Sequence, residues 1–502
     1  MEKTNRRNII IMAIFSVIIM TSVSIAVNTF TLRKYPASGD EASLWFQSEL
    51  FKEGKLWNES LDKNIMGLFK RHHVVTTGEK EYSKYPPGPS LFFSIIPGDF
   101  NGFFANVFFN CITYIAGLII LFAFGFSFFT LLIFSSLYVF SAMIIFNGAS
   151  WFSHPGAAAF TALTILFIVY GEKKSSFFWF FLSGLMIGID IFMRPFDAAL
   201  LLASILIYYF FELISSFDKF TKITKTVFFV FLGILPFFIL FLFYQKIYTG
   251  SFFKSPYSLY VFSSDLRTGD HIGEVTMTLS HYFKYGLGGL TPLWLKNMMR
   301  WTNPVVVPAA ILAIPFFWKA EKNHLLRIYL IIPLVFIMGY ALHNAPGGDS
   351  YGPRYYYPAM ICWFSLAAFS INFIIEKSGS YELIFSTILC ILIITTAGMA
   401  IHKHSAIKAN IIDRFSIYSY SVEIIKDSKA LVFIKETKTL DSAFFIRNKP
   451  DFSDKILYIR KPEDHDSLLL LNNLFPDRTI YEYNYEKSSG KHMLKKVSPG
   501  AQ

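Results

Sequence analysis

The chain has 502 residues, of which 53% are hydrophobic, 18% aromatic and 16% charged. A soluble globular domain carries about 25% charged residues, so this composition excludes an ordinary cytosolic enzyme and a disordered protein. The 57 Phe and 27 Tyr are spread over most of the length, which also excludes a soluble domain with one anchor. The net charge of +11 does not point to nucleic acid, because the basic residues sit mostly in short gaps between apolar runs, where they set membrane orientation.

A membrane span needs about 20 apolar residues to cross roughly 30 Å of hydrocarbon. Eleven runs qualify, at about 9–29, 103–124, 128–148, 155–171, 177–193, 197–213, 226–245, 303–318, 328–343, 358–375 and 383–401. Lys3, Arg6 and Arg7 precede the first run as they would in a signal peptide. That run is long for such a segment and has no small-x-small cleavage site, so it reads as a retained helix. With the N-terminus inside, the cytoplasmic ends collect Lys3, Arg6, Arg7, Lys173, Lys174, Lys219, Lys222, Lys225, Lys319, Lys322, Arg327 and Lys377, against Arg194 and Arg354 on the short outer loops. The ratio of twelve to two predicts an N-in, C-out topology. Long loops at about 30–102 and 246–302 then fall outside, as does the chain after residue 402. The three cysteines, Cys111, Cys362 and Cys390, all lie in apolar runs and are expected to be buried free thiols.

The tail changes character. Ala430-Leu-Val-Phe-Ile434, Ala443-Phe-Phe-Ile446 and Ile456-Leu-Tyr-Ile459 are short apolar segments separated by polar residues and Pro, and a helical run from Asp466 to Phe475 precedes Thr479-Ile-Tyr-Glu-Tyr483. The expected fold is therefore an α-helical polytopic membrane protein of about eleven transmembrane helices. A membrane domain would cover 1–402, and a small α/β domain on the outer face 403–502.

Ionisable residues at the bilayer are costly, and so mark function. In chain order, Ser38-Gly-Asp-Glu-Ala42 places Asp40 and Glu41 at a probable helix start. They suit either capping or a general base, Asp40, with Glu41 orienting it or the acceptor. Ser83-Lys-Tyr-Pro-Pro-Gly-Pro89 is a rigid turn before an apolar stretch. It reads as a loop-to-membrane corner or as a place where Lys84 or Tyr85 meets an anionic group. His154, in Ser150-Trp-Phe-Ser-His-Pro155, is a turn residue or a ligand contact. Gly347-Gly-Asp-Ser-Tyr-Gly-Pro-Arg-Tyr-Tyr-Tyr357 holds one arginine among tyrosines. Arg354 suits bidentate recognition of a phosphate, with Asp349, Tyr355 and Tyr356 as possible substrate contacts; the plain alternative is an aromatic belt with a snorkelling arginine. Arg194-Pro-Phe-Asp197 reads as a turn held by its own ion pair. Asp265, Asp270, His271, Glu274 and His281 match no metal spacing and read as a solvated loop. There is no phosphate-binding loop, dinucleotide fingerprint or nucleophile elbow.

In their order and sidedness these clusters resemble the GT-C superfamily of membrane glycosyltransferases, in the branch of protein O-mannosyltransferases and the lipid A aminoarabinose transferase. The acidic pair Asp40-Glu41, the Tyr85-Pro-Pro-Gly88 turn and the Gly352-Pro-Arg-Tyr355 loop carry the likeness, which covers about residues 1–400. It implies a GT-C-like fold and a polyprenyl-phosphate-linked sugar donor. The acceptor hydroxyl would belong to a glycan, lipid or protein, with Asp40 as catalytic base and Arg354 on the donor phosphate, assisted by Lys84. Such a reaction requires no cofactor, although an acidic pair near a histidine also suits a divalent metal. A retained N-terminal anchor suits a bacterial inner membrane. The rival readings are an oligosaccharide or phosphosugar ligase, and a lipid or sugar transporter or flippase.

Overall fold

The computed structural model describes residues 2–69, 73–264, 279–319, 321–342, 351–377, 381–426, 429–434, 448–486, 489 and 491–497. Apolar helices dominate it. Seven described helices are long and apolar enough to cross a membrane, and nine if two bent pairs each count as one span. Two shorter apolar helices, Phe177–Met193 and His324–Tyr340, fall on the two remaining expected runs.

Helix α1 (Glu2–Ala26) continues through a π-helical turn, Val27–Thr31, to the first long loop. That loop is built rather than irregular. It holds α2 (Gly39–Lys52), a three-stranded antiparallel sheet of β1 (Asn58–Glu59), β2 (Val74–Thr77) and β3 (Lys80–Ser83), the short α3 (Lys63–Phe69), and α4 (Gly88–Ile95). The bundle proper follows with α5 (Phe103–Ala123), the bent pair α6 (Phe128–Val139) and α7 (Ala142–Gly148), α8 (His154–Lys174), α9 (Phe177–Met193), α10 (Pro195–Ser215) and α11 (Phe220–Thr249). Pro155 and Pro195 occupy the first turns of α8 and α10, where a missing N–H costs nothing.

The second long loop contains α12 (Pro256–Ser264), the three-residue α13 (Leu279–His281) and α14 (Thr291–Trp301), which meets α15 (Val306–Trp318) at a 110° bend. Helices α16 (Ile328–Tyr340), α17 (Met360–Lys377) and α18 (Tyr381–Ile424) complete the bundle. Helix α18 runs unbroken past residue 402, so its polar end is a rod carrying the C-terminal sheet. In that sheet β4 (Ala430–Ile434) lies parallel to β5 (Ile456–Arg460) and β6 (Thr479–Glu486), β7 (Lys491–Lys496) lies antiparallel to β6, and α19 (His465–Leu474) precedes β6. The expected strand at 443–446 lies outside the described residues.

One apolar core joins most of the bundle helices, and three satellites hold the outer parts, the smallest setting Val75 and Tyr82 of the first-loop sheet against Tyr248 of α11. Leu44, Trp45, Phe93 and Trp151 pack α2 and α4 on the bundle. Ile65 and Phe69 of α3 pack with Leu431, Leu457 and Leu471, so the C-terminal sheet and the first loop share a core. The expectation of three buried thiols is corrected: Cys362 is buried, Cys111 half-buried and Cys390 exposed. Cys390 lies on α18, whose membrane stretch is mostly uncovered by other helices, so an apolar run faces lipid there instead of a core.

Candidate active site

The start of α2 sets the site. Ser38 caps the helix, its Oγ accepting from the Glu41 N–H at 3.3 Å, while Glu41 Oε2 accepts from the Ser38 hydroxyl and the Ala37 N–H at 3.0 Å each. This reciprocal cap satisfies orphan helix N–H groups. Glu41 Oε1 accepts from the Trp151 N–H at 3.0 Å, and the side chain is 1% exposed. Burial pushes its pKa up to about 7 against these hydrogen bonds. Glu41 thus ties α2 to the turn before α8 and does not line the neighbouring cavity.

Asp40 does line it, with 31% of its side chain open. Its Oδ1 accepts from the Tyr85 hydroxyl at 2.5 Å and from His73 Nε2 at 3.2 Å, and Oδ2 faces Arg354 Nη1 at 3.4 Å and Nη2 at 3.5 Å. Burial raises the Asp40 pKa, but His73, Arg354 and Tyr85 together outweigh it and hold the carboxyl well below the usual range. Burial and the Asp40 charge push the Tyr85 hydroxyl well up, so it stays a donor.

The β2–β3 hairpin brings His73, Lys84 and Tyr85 to Asp40. Ser43 of α2 donates to the His73 carbonyl and meets Ser83 Oγ, both at 2.7 Å, and Gln47 Oε1 accepts from the Ser83 N–H at 2.8 Å. Lys84, 6% exposed, sits among the rings of Tyr85, Tyr257 and Tyr260, its Nζ 5.0, 4.8 and 4.5 Å from their centroids. Burial lowers its pKa to about 8, with Asp40 pulling the other way. After the Pro-Pro corner, Gly88 lets α4 lie on the end of α9: a Cβ there would stand 2.6 Å from the Phe192 carbonyl oxygen.

Arg354 comes from the turn that leads into α17. Gly352 holds φ +93°, and an added Cβ would press on Trp301 at 3.1 Å, so a glycine is required to turn the loop. The guanidinium lies 3.8 Å from the Phe152 ring centroid, is 5% exposed, and has no partner for Nε among the described residues. Tyr355 lines the cavity and stacks on Tyr340, 4.7 Å between centroids. Tyr356 is buried behind it against Trp294 and does not line the cavity. Asp349 lies outside the described residues, as do Asp265, Asp270, His271 and Glu274.

These groups surround a cavity of about 690 Å³. His154 lines it, 2% exposed, with neither ring nitrogen partnered among the described residues. Arg194 also lines it, although the sequence reading gave it only a turn role. Its Nε bonds Asp197 at 2.5 Å, as that reading expects, while Nη1 and Nη2 reach Ser153 at 3.2 Å and the Tyr340 hydroxyl at 3.0 Å. Phe196, Phe241 and Leu342 give the cavity an apolar side between α10, α11 and α16. His73, Tyr257 and Tyr260 are the functional candidates the sequence reading missed. Among the described residues no three His, Cys, Asp or Glu side chains gather in a way that would hold a metal ion.

The helical membrane bundle, with this cavity beside its structured first loop, matches solved structures in fold. ArnT from Cupriavidus metallidurans bound to undecaprenyl phosphate superposes with a TM-score of 0.54 at 11% identity, covering 94% of this chain and 92% of that one. The apo state of the same protein gives 0.53 at 10% identity, covering 95% and 93%. At such identity the likeness is one of fold. No family model and no curated protein matches the sequence.

Proposed function

We propose that the protein is a glycosyltransferase that moves a sugar from a polyprenyl-phosphate-linked donor to an acceptor hydroxyl at the outer face of a bacterial inner membrane. The observation that carries this reading is a carboxylate, Asp40, facing Arg354 in a cavity with an apolar side. ArnT, which shares the fold, was solved with undecaprenyl phosphate, and that supports a lipid phosphate as the leaving group. The N-in, C-out topology and the inner membrane belong to the proposal, on the twelve-to-two distribution of basic residues.

In the free protein Asp40 and Arg354 face each other. A donor phosphate beside Arg354 and Lys84 would draw the guanidinium away and leave Asp40 to accept the acceptor's proton. The acceptor oxygen then forms its bond to the anomeric carbon as the carbon–phosphate-oxygen bond breaks. The polyprenyl phosphate departs with its charge held by Arg354 and Lys84. One carboxylate and one displacement give inversion; retention would need a second carboxylate as nucleophile, and Glu41 is turned away. Two fixed cations serve where a divalent metal otherwise offsets phosphate charge, so the proposed reaction is cofactor-independent.

Charge further favours an uncharged sugar. Lys84, Arg194 and Arg354 line the cavity with Asp40, and Asp197 neutralises Arg194 from behind. The remaining single positive charge matches one phosphodiester. An amino sugar's ammonium would find no lining carboxylate except Asp40 among the described residues. The test is transfer from radiolabelled polyprenyl-phosphate sugars, neutral and amino, into envelope fractions by EDTA-washed protein, wild type beside Asp40→Asn. Product from neutral donors with wild type alone is expected. Absence of product with every donor, from folded protein, would overturn the reading, and equal use of amino donors would remove its charge argument.

A further inference from the structure

A second cavity, of about 630 Å³, shares no lining residue with the first. It lies in the crook of the α14–α15 elbow against α18. Thr395, Gly398, Met399 and His402 line it from α18 and Arg300 and Pro304 from the elbow, with Lys403 at the rim. The α18 residues fall at i, i+3, i+4 and i+7, so they form one stripe, roughly 10 Å long at 1.5 Å per residue. Asn303 pins the elbow to this helix, donating to Thr395 Oγ1 at 2.9 Å and Thr396 Oγ1 at 2.8 Å. A Cβ added at Gly398 would meet nothing within 4 Å, so the glycine leaves room in the wall.

The chemistry of the cavity changes with depth. His402 and Lys403 stand near the polar end of the apolar stretch Leu383–Lys408, while Thr395, Gly398 and Met399 lie one to two turns further into it. Arg300 comes from α14, whose Lys296 and Arg300 oppose its buried Trp294 and Met298. Among the described residues neither Arg300 nor His402 has a carboxylate partner. Ile391, Ile394 and Ile401 are exposed on the same helix, so the cavity opens beside a surface that meets lipid. Basic groups at the boundary over an apolar wall match a molecule with an anionic head and a hydrocarbon chain.

We propose that this cavity is a binding site for an anionic membrane phospholipid. The headgroup phosphate would lie among Arg300, His402 and Lys403, and one acyl chain along the stripe from Met399 to Thr395. The site also borders the loop that carries Arg354. Lys403 Nζ lies 4.6 Å from the Trp301 ring centroid, and Trp301 is the residue that Gly352 packs against. An occupied site would therefore brace that loop from behind.

The test is native mass spectrometry of the full-length protein in detergent, titrated with phosphatidylglycerol or phosphatidylcholine. Wild type is expected to retain one phosphatidylglycerol more tightly than any phosphatidylcholine. The variant Arg300→Gln/Lys403→Gln should bind that lipid roughly 10- to 30-fold more weakly, the pull of two basic side chains on an anionic lipid. Gly398→Leu fills the chain wall without altering charge and should release the lipid as well, which keeps the test open if the double variant fails to fold. Unchanged retention in both folded variants would overturn the site. So would equal loss in Lys495→Gln/Lys496→Gln on the C-terminal sheet, which would mean unspecific attraction. Displacement of the lipid by millimolar inorganic phosphate would overturn the lipid assignment in favour of a free-phosphate site.

Discussion

Asp40 accepts from a tyrosine, a histidine and an arginine inside a cavity, whereas its neighbour Glu41 is taken up by two backbone N–H groups and a serine. Their substitutions should therefore separate cleanly. Asp40→Asn keeps shape but removes the proton acceptor, so transfer should fall by roughly 10²–10⁴ while the melting midpoint holds. Glu41→Gln turns an amide NH₂ towards buried donors and should cost about 1–3 kcal/mol of stability, with the surviving folded protein retaining kcat within a few-fold. A loss of kcat in a thermally intact Glu41→Gln, or a collapsed fold in Asp40→Asn, would reverse the assignment. The pH profile tests Lys84. Its ammonium is present below about pH 8 and is lost as pH rises through that value, whereas the depressed Asp40 is already ionised near neutrality. In the free-enzyme profile, kcat/KM should be flat from pH 6 to 7 and fall above about 8. Lys84→Arg should move that limb to higher pH, and a limb that stays put would mean another group causes it.

Among the elements, the loop from Tyr351 to Tyr355 carries Arg354 only because Gly352 takes a left-handed conformation against Trp301. Gly352→Ala should strain that turn, by about 1–3 kcal/mol, and displace the guanidinium. We expect KM for the donor to rise about tenfold or more with a smaller change in kcat; an unchanged KM would show the turn to be dispensable. This loop was legible in the sequence, as were the acidic pair and the Pro-Pro-Gly corner, because each has a local signature of turn residues beside charge. His73 was not legible. It reaches Asp40 through β2–β3 docking on α2 via Ser43, Ser83 and Gln47, a pairing no short pattern encodes; the adjacent His72-His73 pair in an outer loop was the signal available. The Arg194–Asp197 pair was read correctly as a turn held by its own ion pair, but the remaining guanidinium nitrogens find Ser153 and, on α16, Tyr340 only in the packed bundle. Apolar run length located the helices, yet it could not distinguish a straight span from one bent by 110° at Trp301–Val306. The bend places an amphipathic α14 before the buried Val306 and Val307, and periodicity would have revealed it.

At the scale of the molecule, charge is sorted to the two ends of the bundle. Opposite the Asp40 cavity, Glu212 holds Lys219 at 2.8 Å and Arg327 at 3.2 Å, and Glu172 holds Lys222 at 2.6 Å. The Glu212 and Glu172 side chains are only 5% and 10% exposed, so these cations offset the cost of burying them; the surplus of basic residues at this end bears on orientation. Lys219, Lys222 and Arg327 are among the basic residues on which the proposed cytoplasmic side rests. That end and the C-terminal sheet should therefore face different compartments. Because the sheet shares a core with α3 in the first loop, it should share a compartment with the cavity that this loop covers. Single cysteines at two exposed serines, Ser489 beside β7 and Ser215 at the end of α10, report each side, in a background lacking Cys111, Cys362 and Cys390. A membrane-impermeant maleimide should label Ser489→Cys in intact spheroplasts and Ser215→Cys only after the membrane is opened. The reverse pattern would put the cavity and the C-terminal sheet in the cytoplasm. The donor sugar would then have to be presented from the inner leaflet, and the proposed outer-face reaction would fail even if Asp40 proved to be the base.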